Sequence, residues 1–262
     1  MTFRRYIKSR LAEDQRRRVR RAINVLETMC PPLRAVRQAV VQRDWPPLPG
    51  GRTWQTAIPP VLLHSLVEGT VGHRYRDIPM QKHPVEIALY TRLLWEIKPA
   101  TIIEIGSLAG GAAVWMGDLL RTFAIDGRVF SVDLQPPTPS YAPPNVKFLR
   151  GDANNLGATL GAEFLLSLPR PWLVIEDASH DYETTLAVLR FFDPLLRPGE
   201  YMIVEDAAVP EIGQDSWHGG GAARAIAQFL HDRNADYEID AAYCDYYGRN
   251  VTGNPNGYLR RK

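Results

Sequence analysis

From Thr101 onward, short β-branched or apolar runs alternate with helical stretches of about ten residues, and each run leads into glycine or an acidic residue. No other feature constrains the fold as strongly. Strands separated by crossover-length helices pair in parallel, so the chain is expected to build βαβ units and a mostly parallel sheet with helices on both faces. The strand runs are Thr101–Ile105, Arg128–Val132, Val146–Leu149, Leu173–Ile175 and Tyr201–Val204. The helical runs are Val85–Ile97, Ala112–Phe123, Tyr182–Phe192 and Gly221–His231, with Pro99 and Asp193-Pro194 as stops. In open sheets of this kind ligands bind beyond the carboxyl ends of the strands, where strand order reverses. The chemistry is therefore expected immediately after the strands.

Upstream of this pattern the composition changes. Through Asp44 the chain carries twelve basic against four acidic side chains, net +8, so the total of +2 leaves −6 on the remainder. Val19, Ala22, Ile23, Leu26 and Met29 recur at three- and four-residue steps, which predicts a helix over Glu13–Met29 with arginines on its other face. Pro31-Pro32 stops it, and a second short helix is expected over Leu33–Gln42. Trp45-Pro-Pro-Leu-Pro-Gly-Gly51 reads as a linker. The expected organisation is a basic helical arm and linker, 1–51, and a body, 52–262.

A basic arm on an acidic body raises nucleic acid as a partner, but no interleaved aromatic and basic pattern accompanies the arginines, so none is expected. Packing on a second subunit, or peripheral contact with an anionic membrane, fits the arm better. No apolar run reaches membrane-spanning length and no apolar segment follows the basic N-terminus. Two cysteines, Cys30 and Cys244, make neither a disulfide framework nor a zinc site. A cytoplasmic location is expected.

Three motifs at successive strand ends point to a cofactor. Glu104-Ile-Gly-Ser-Leu-Ala-Gly-Gly111 follows the first strand and opens a helix. Gly106, Gly110 and Gly111 allow a sharp turn and a close approach, but their spacing is not that of a nicotinamide dinucleotide loop. Asp133 ends the next strand, where a carboxylate can accept from a ribose diol. Gly151-Asp152-Ala153 follows the third, where an acid can face an adenine edge. Together they resemble the class I methyltransferases that bind S-adenosylmethionine. Glu104, Gly106, Ser107, Gly110, Gly111, Asp133, Asp152 and Ala153 are the candidate cofactor residues.

Two further strands end in acid clusters, Ile175-Glu-Asp-Ala-Ser-His180 and Val204-Glu-Asp206. Neighbouring parallel strands lie about 4.8 Å apart, so Asp177, Glu205 and Asp206 should converge. Carboxylates so placed repel unless a cation or protons intervene, and oxygen donors favour Mg²⁺ or Ca²⁺. His180, three residues beyond Asp177, is placed to take a proton from a hydroxyl. Asp181 and Glu183 are better suited to start the following helix.

The resemblance extends further. Tyr75-Arg-Asp-Ile-Pro-Met-Gln-Lys-His-Pro-Val-Glu-Ile, Lys98-Pro-Ala-Thr-Ile-Ile-Glu-Ile-Gly, Arg197-Pro-Gly-Glu-Tyr-Met-Ile-Val-Glu-Asp and the terminal Gly253-Asn-Pro-Asn-Gly-Tyr-Leu-Arg-Arg261 resemble the cephalosporin-hydroxylase-like and rhamnosyl O-methyltransferase family. That resemblance spans Tyr75 to Arg261. It implies a Rossmann-like class I methyltransferase fold with a mostly parallel seven-stranded sheet, and homo-oligomers. It also implies S-adenosylmethionine and Mg²⁺ as cofactors, and a sugar hydroxyl of a glycan, glycolipid or glycosylated natural product as substrate. Carried over by position, Asp177, Glu205 and Asp206 would hold Mg²⁺ and His180 would be the general base. Gln81 and Lys82 would line the cofactor mouth. Tyr75, Tyr182, Trp217 and His218 are candidate substrate contacts, and the Gly219-Gly220-Gly221 run is a candidate hinge for a lid. A catechol-like diol as substrate, and a cofactor-binding partner protein without activity, are the alternatives. A two-histidine, one-carboxylate iron triad is absent from the sequence at recognisable spacing, so oxygenase chemistry is set aside.

Overall fold

The structure, a computed structural model, describes residues 44–212 and 220–262, together with Ala22, Val25, Leu26, Met29, Cys30, Leu33 and Val36 in the segment before them. Its centre is a seven-stranded sheet. After helix α1 (Pro60–Gly72) and a two-residue hairpin, β1 (Arg74–Tyr75) and β2 (Ile78–Pro79), come α2 (Pro84–Ile97), β3 (Thr101–Ile105) and α3 (Gly111–Thr122). Then follow β4 (Arg128–Asp133), β5 (Val146–Arg150), two short helices α4 (Leu156–Leu160) and α5 (Ala162–Leu166), β6 (Trp172–Glu176) and α6 (Tyr182–Phe192). The chain ends with β7 (Tyr201–Val204), α7 (Gly221–Arg233), β8 (Tyr237–Ile239), α8 (Ala241–Cys244) and β9 (Tyr258–Arg261).

The strand order is β5-β4-β3-β6-β7-β9-β8. Only β9 runs against its neighbours β7 and β8; the pairings of β3 with β4 and β6, β4 with β5, and β6 with β7 are parallel. Strand order reverses between β3 and β6, and their carboxyl ends mark the expected ligand crevice.

Alternation along the strands explains why the sheet is buried twice. Ile103, Ile105, Phe130, Val132, Trp172, Val174, Met202 and Val204 join one apolar cluster with α6 and α7. Ile102, Val129, Leu173, Ile175, Tyr201 and Ile203 join the other, under Leu89, Leu93 and Leu94 of α2 and Met116 and Leu120 of α3. Period-two side-chain geometry sends successive residues to opposite faces, so strands covered on both faces read as continuous apolar runs.

Several elements differ from the sequence expectation. The helix α1, the β1–β2 hairpin, α4, α5, α8 and the positions of the last two of the seven strands were not foreseen. Segment 45–51, read as a linker, packs on the body. Leu48 is buried in the main core, the Trp45 and Trp54 rings lie 5.2 Å apart, and Arg52 Nε donates to Asn256 Oδ1 at 2.6 Å. Two glycines of the proposed hinge are also built in. Gly220 (φ +93°) and Gly221 are buried at the start of α7, and a Cβ on Gly220 would lie 2.7 Å from the Trp45 ring. Gly219 and the lid residues Trp217 and His218 lie outside the described residues. So does most of the predicted arm; its described residues Ala22, Val25, Leu26, Met29, Leu33 and Val36 are helical and exposed. Among the described residues no helix is long and apolar enough to cross a membrane.

Candidate functional site

A cavity of about 410 Å³ opens at the carboxyl ends of β3, β4 and β6. Among its lining residues are Gln81, Lys82, Glu104, Gly106, Ser107, Gly111, Asp133, Asp152, Ala153, Asp177, His180 and Asp206. Most of the residues singled out in the sequence therefore share one crevice.

Its glycine loop is shaped by close approach. Gly106 has φ +103°, and a Cβ there would sit 2.0 Å from the carbonyl oxygen of Asp177. A Cβ on Gly111 would meet the Pro79 carbonyl at 2.3 Å, so this glycine lets the hairpin lie against the start of α3. Gly110 also has positive φ, but what crowds it is the Phe148 ring, and it does not line the cavity. Asp133 Oδ2 accepts from Ser107 N at 3.0 Å and its Oδ1 from Gln135 N at 2.9 Å. These bonds hold the carboxylate at the rim beside the loop. Asp152 caps the turn that follows β5, accepting from Asn154 N at 2.9 Å.

Glu104 is buried on the cavity wall. Its Oε2 accepts from Ser131 Oγ at 2.5 Å, whereas Oε1 has no partner among the described residues. Burial pushes its carboxyl up to about 7, against the pull of Lys82 and Ser131. Glu176 is buried on the opposite face, accepting from Thr185 Oγ1 at 3.0 Å, and burial pushes it too up to about 7.

At the ends of β6 and β7 the acids converge, though not as the expected trio. Asp177, His180 and Asp206 each offer a ligand atom within 4.8 Å of the others. His180 Nε2 lies 3.3 Å from Asp206 Oδ2 and 3.9 Å from Asp177 Oδ1. His180 (φ +56°) and Asp206 (φ +55°) both hold left-handed backbone, a strained conformation for residues other than glycine. Burial lowers the imidazole, but Asp206, Asp177 and Glu176 outweigh it and hold His180 above its ordinary value.

Glu205 points elsewhere. Lys82 Nζ donates to Glu205 Oε1 at 2.5 Å and to Asp177 Oδ2 at 2.6 Å, and Tyr90 Oη donates to Glu205 Oε1 at 2.5 Å. The side chain of Lys82 is only 2% exposed. Asp177, Glu205 and Glu104 hold this ammonium protonated despite its burial. Burial and Asp177 push the Glu205 carboxyl up, while Lys82 and Tyr90 pull against them. Glu205 is not in the converging set; its Oε1 is held by a buried lysine and a tyrosine, from the segment after the hairpin and from α2.

Other candidates are also placed differently. Tyr75 is not on the cavity wall; its hydroxyl donates to Asp118 Oδ2 at 3.0 Å, beside Arg76. Tyr182 packs at the edge of the main core under the Arg224 guanidinium, 4.1 Å from its ring centre. Asp181 caps α6 through Thr184 N at 2.9 Å.

The C-terminal motif supports the site from behind. Asp206 N donates to Asn254 Oδ1 at 2.9 Å. Gly253 N and Asn254 N donate to the buried Glu86 Oε1 at 2.9 and 3.3 Å, as does Thr252 Oγ1. Sequence reasoning missed Tyr90, Glu86 and Asn254 as site residues. Tyr90 was hidden in an apolar helix pattern, and the other two carried only the signal of the quoted motifs.

A family model described as Rhamnosyl O-methyltransferase/CmcI matches residues 70–262. The chain belongs to this family. Relatives include the Rhamnosyl O-methyltransferase of Mycobacterium leprae (strain TN), 29% identical over 179 residues and covering 66% of this chain and 76% of that protein. The Rhamnosyl O-methyltransferase of Mycobacterium tuberculosis (strain CDC 1551 / Oshkosh) is 28% identical over 193 residues, covering 71% and 77%. A solved structure of CmcI with Mg and SAM superposes with a TM-score of 0.59 at 26% identity, covering 73% of this chain and 77% of that one. The fold is that of the Rossmann-like class I O-methyltransferases, as the motifs and the family resemblance implied.

Proposed function

We propose that this member of the family transfers a methyl group from S-adenosylmethionine to a sugar hydroxyl of a glycan, glycolipid or glycosylated natural product, with Mg²⁺ as the metal. One observation carries the reading: Asp177, His180 and Asp206 converge on the same crevice that the glycine loop, Asp133 and Asp152 line. The residues fit the cofactor. Glu104 Oε1 is a buried acceptor without a partner among the described residues, suited to an ammonium, and Asp133 stands at the rim where a ribose diol can donate. They also fit a divalent ion, since Asp177 and Asp206 offer carboxylate oxygens side by side. When bound, the sulfonium supplies an activated methyl group and the divalent ion acidifies a coordinated hydroxyl.

The protein's own part is to position and to move a proton. Asp177 and Asp206 would hold the ion, and the Gly106–Gly111 loop would cradle the cofactor. His180 Nε2, facing both acids, would take the hydroxyl proton as the methyl group passes from sulfur to that oxygen and S-adenosylhomocysteine is left. A cytoplasmic, oligomeric protein whose basic arm packs on a second copy or touches an anionic membrane belongs to the same reading.

The test is methyl transfer from labelled S-adenosylmethionine to a panel of sugars and glycolipids, with EDTA and with Mg²⁺ restored. Transfer should stop with EDTA and return with Mg²⁺. Full transfer in thoroughly metal-depleted protein would refute the ion's role, and transfer only to catechol-like diols would refute the sugar.

A further inference from the structure

A second cavity, about 490 Å³ in volume, lies at the other end of the sheet. The cofactor crevice opens beyond Glu176, the last residue of β6, whereas this cavity is lined by Trp172, the first. At ~3.3 Å per residue the strand puts roughly 13 Å between them. Three arginines line the cavity: Arg170 just before β6, Arg197 in the turn before β7, and Arg260 of β9. Glu200 is the one carboxylate among the lining residues, and both its oxygens are occupied. Its Oε1 accepts from Trp172 N at 2.9 Å, and its Oε2 accepts from Arg197 N at 2.7 Å and from Arg170 Nη1. Arg170 is fixed further, its Nη2 donating to the Leu195 carbonyl at 2.8 Å and its guanidinium lying 3.8 Å from the centre of the Trp172 ring. The Arg197 side chain is exposed and its guanidinium has no acceptor among the described residues. Arg260 has one loose, exposed pair, Nη1 to Glu238 Oε1 at 3.5 Å, which solvent weakens.

Backbone acceptors around the cavity are taken as well. The Pro171 carbonyl accepts from Ala100 N and Thr101 N at 3.0 and 3.2 Å, and the Arg197 carbonyl from Glu200 N at 3.0 Å. The wall thus keeps guanidinium donors to spare, with two positive charges in excess, on a body whose net charge is −6. A ligand that meets those donors must supply acceptors and negative charge. The planar fork of a guanidinium matches two oxygens of one phosphate, and the double excess of charge suits a phosphate better than a single carboxylate. The volume exceeds that of a phosphate alone, and Ile97, Pro171 and Pro198 offer an apolar wall to the rest of a small molecule. We propose that this cavity binds a phosphorylated small molecule, its phosphate held by Arg197 and Arg260, with Arg170 fixed behind them by Glu200. The site is separate from the cofactor crevice and does not depend on the methyl-transfer reading.

The experiment is isothermal titration calorimetry on the full chain without added metal, at about 0.15 M salt so that diffuse attraction is screened. Inorganic pyrophosphate is the probe, with acetate alongside. Saturable pyrophosphate binding with a Kd below about 1 mM is expected, and weaker binding of acetate. Arg197→Ala should weaken pyrophosphate at least about tenfold and Arg260→Ala at least about threefold, each with the parent's melting temperature nearly unchanged. Saturating S-adenosylhomocysteine should leave pyrophosphate binding as it was. Competition between the two would put the anion in the cofactor crevice and overturn the proposal. So would the lack of saturable binding, acetate binding as tight as that of pyrophosphate, or parental affinity in both arginine variants, which would assign the anion to the basic N-terminal segment.

Discussion

Replacing Glu86 with alanine tests how the C-terminal motif reaches the site. The Glu86 carboxylate is 1% exposed and accepts from Gly253 N, Asn254 N and Thr252 Oγ1. Those donors lie in the loop whose Asn254 holds Asp206 N and whose Gly253 carbonyl accepts from Ala208 N at 3.1 Å. Removing the acceptor strands three buried donors, each costing ~1–3 kcal/mol when left unsatisfied. Allowing for water entering the space of the lost side chain, the total is about 3–6 kcal/mol, a large part of a domain's ~5–15 kcal/mol. For a chain of this size that lowers the melting temperature by roughly 6–20 °C. Urea unfolding followed by far-ultraviolet circular dichroism gives the free energy, and Glu86→Gln, which keeps an acceptor oxygen, should lose only about 1–2 kcal/mol. A Glu86→Ala protein within about 1 kcal/mol of the parent would mean that these bonds do not fasten the loop.

Three further outcomes follow from the geometry. Gly106→Ala places a Cβ 2.0 Å from the Asp177 carbonyl at a left-handed φ, so it should destabilise the fold by roughly 3 kcal/mol or more and abolish S-adenosylhomocysteine binding in a calorimetric titration; ordinary binding would refute the packing of loop on strand end. Asp133→Ala should weaken that ligand at least tenfold with only a small change in stability, because the carboxylate sits at the rim and bonds two backbone amides, those of Ser107 and Gln135. Glu104 has its folded-state value raised from 4.5 to about 7, so the folded protein binds more protons between those limits and loses stability as pH rises through them, by ~3 kcal/mol at most. Denaturation at pH 5 and pH 8 should show this slope in the parent and a shallower one in Glu104→Gln; equal slopes would place the proton uptake elsewhere.

The five parallel strands and four of the helices were legible because each is written locally. Apolar runs of strand length, stops such as Asp193-Pro194 and acids at strand ends need no distant partner to be recognised. The strands β8 and β9 were not, since Tyr237–Ile239 is short and Tyr258–Arg261 carries two arginines. Their strand character comes from pairing, β9 being sealed between β7 and β8. Helix α1 was missed because it lacks a one-sided apolar stripe: Leu63 is buried while Val61, Leu62 and Val71 are exposed.

By itself the sequence determined which chemistry-bearing residues stand at which strand end, because strand position follows from local periodicity and loop position from glycine and proline. It placed Asp133, Asp152, Asp177, His180 and Asp206 at the mouth of a parallel sheet. Tertiary structure alone decided which of those groups face one another. Lys82 lies 95 residues from Asp177 and 123 from Glu205, yet bonds both. It arrives through a hairpin held close by Gly111, and no local rule encodes that approach. The reason is physical: the direction of a carboxylate is set by the nearest donors in space, and here a buried ammonium and the Tyr90 hydroxyl hold Glu205 Oε1 while Asp177, His180 and Asp206 line the cavity.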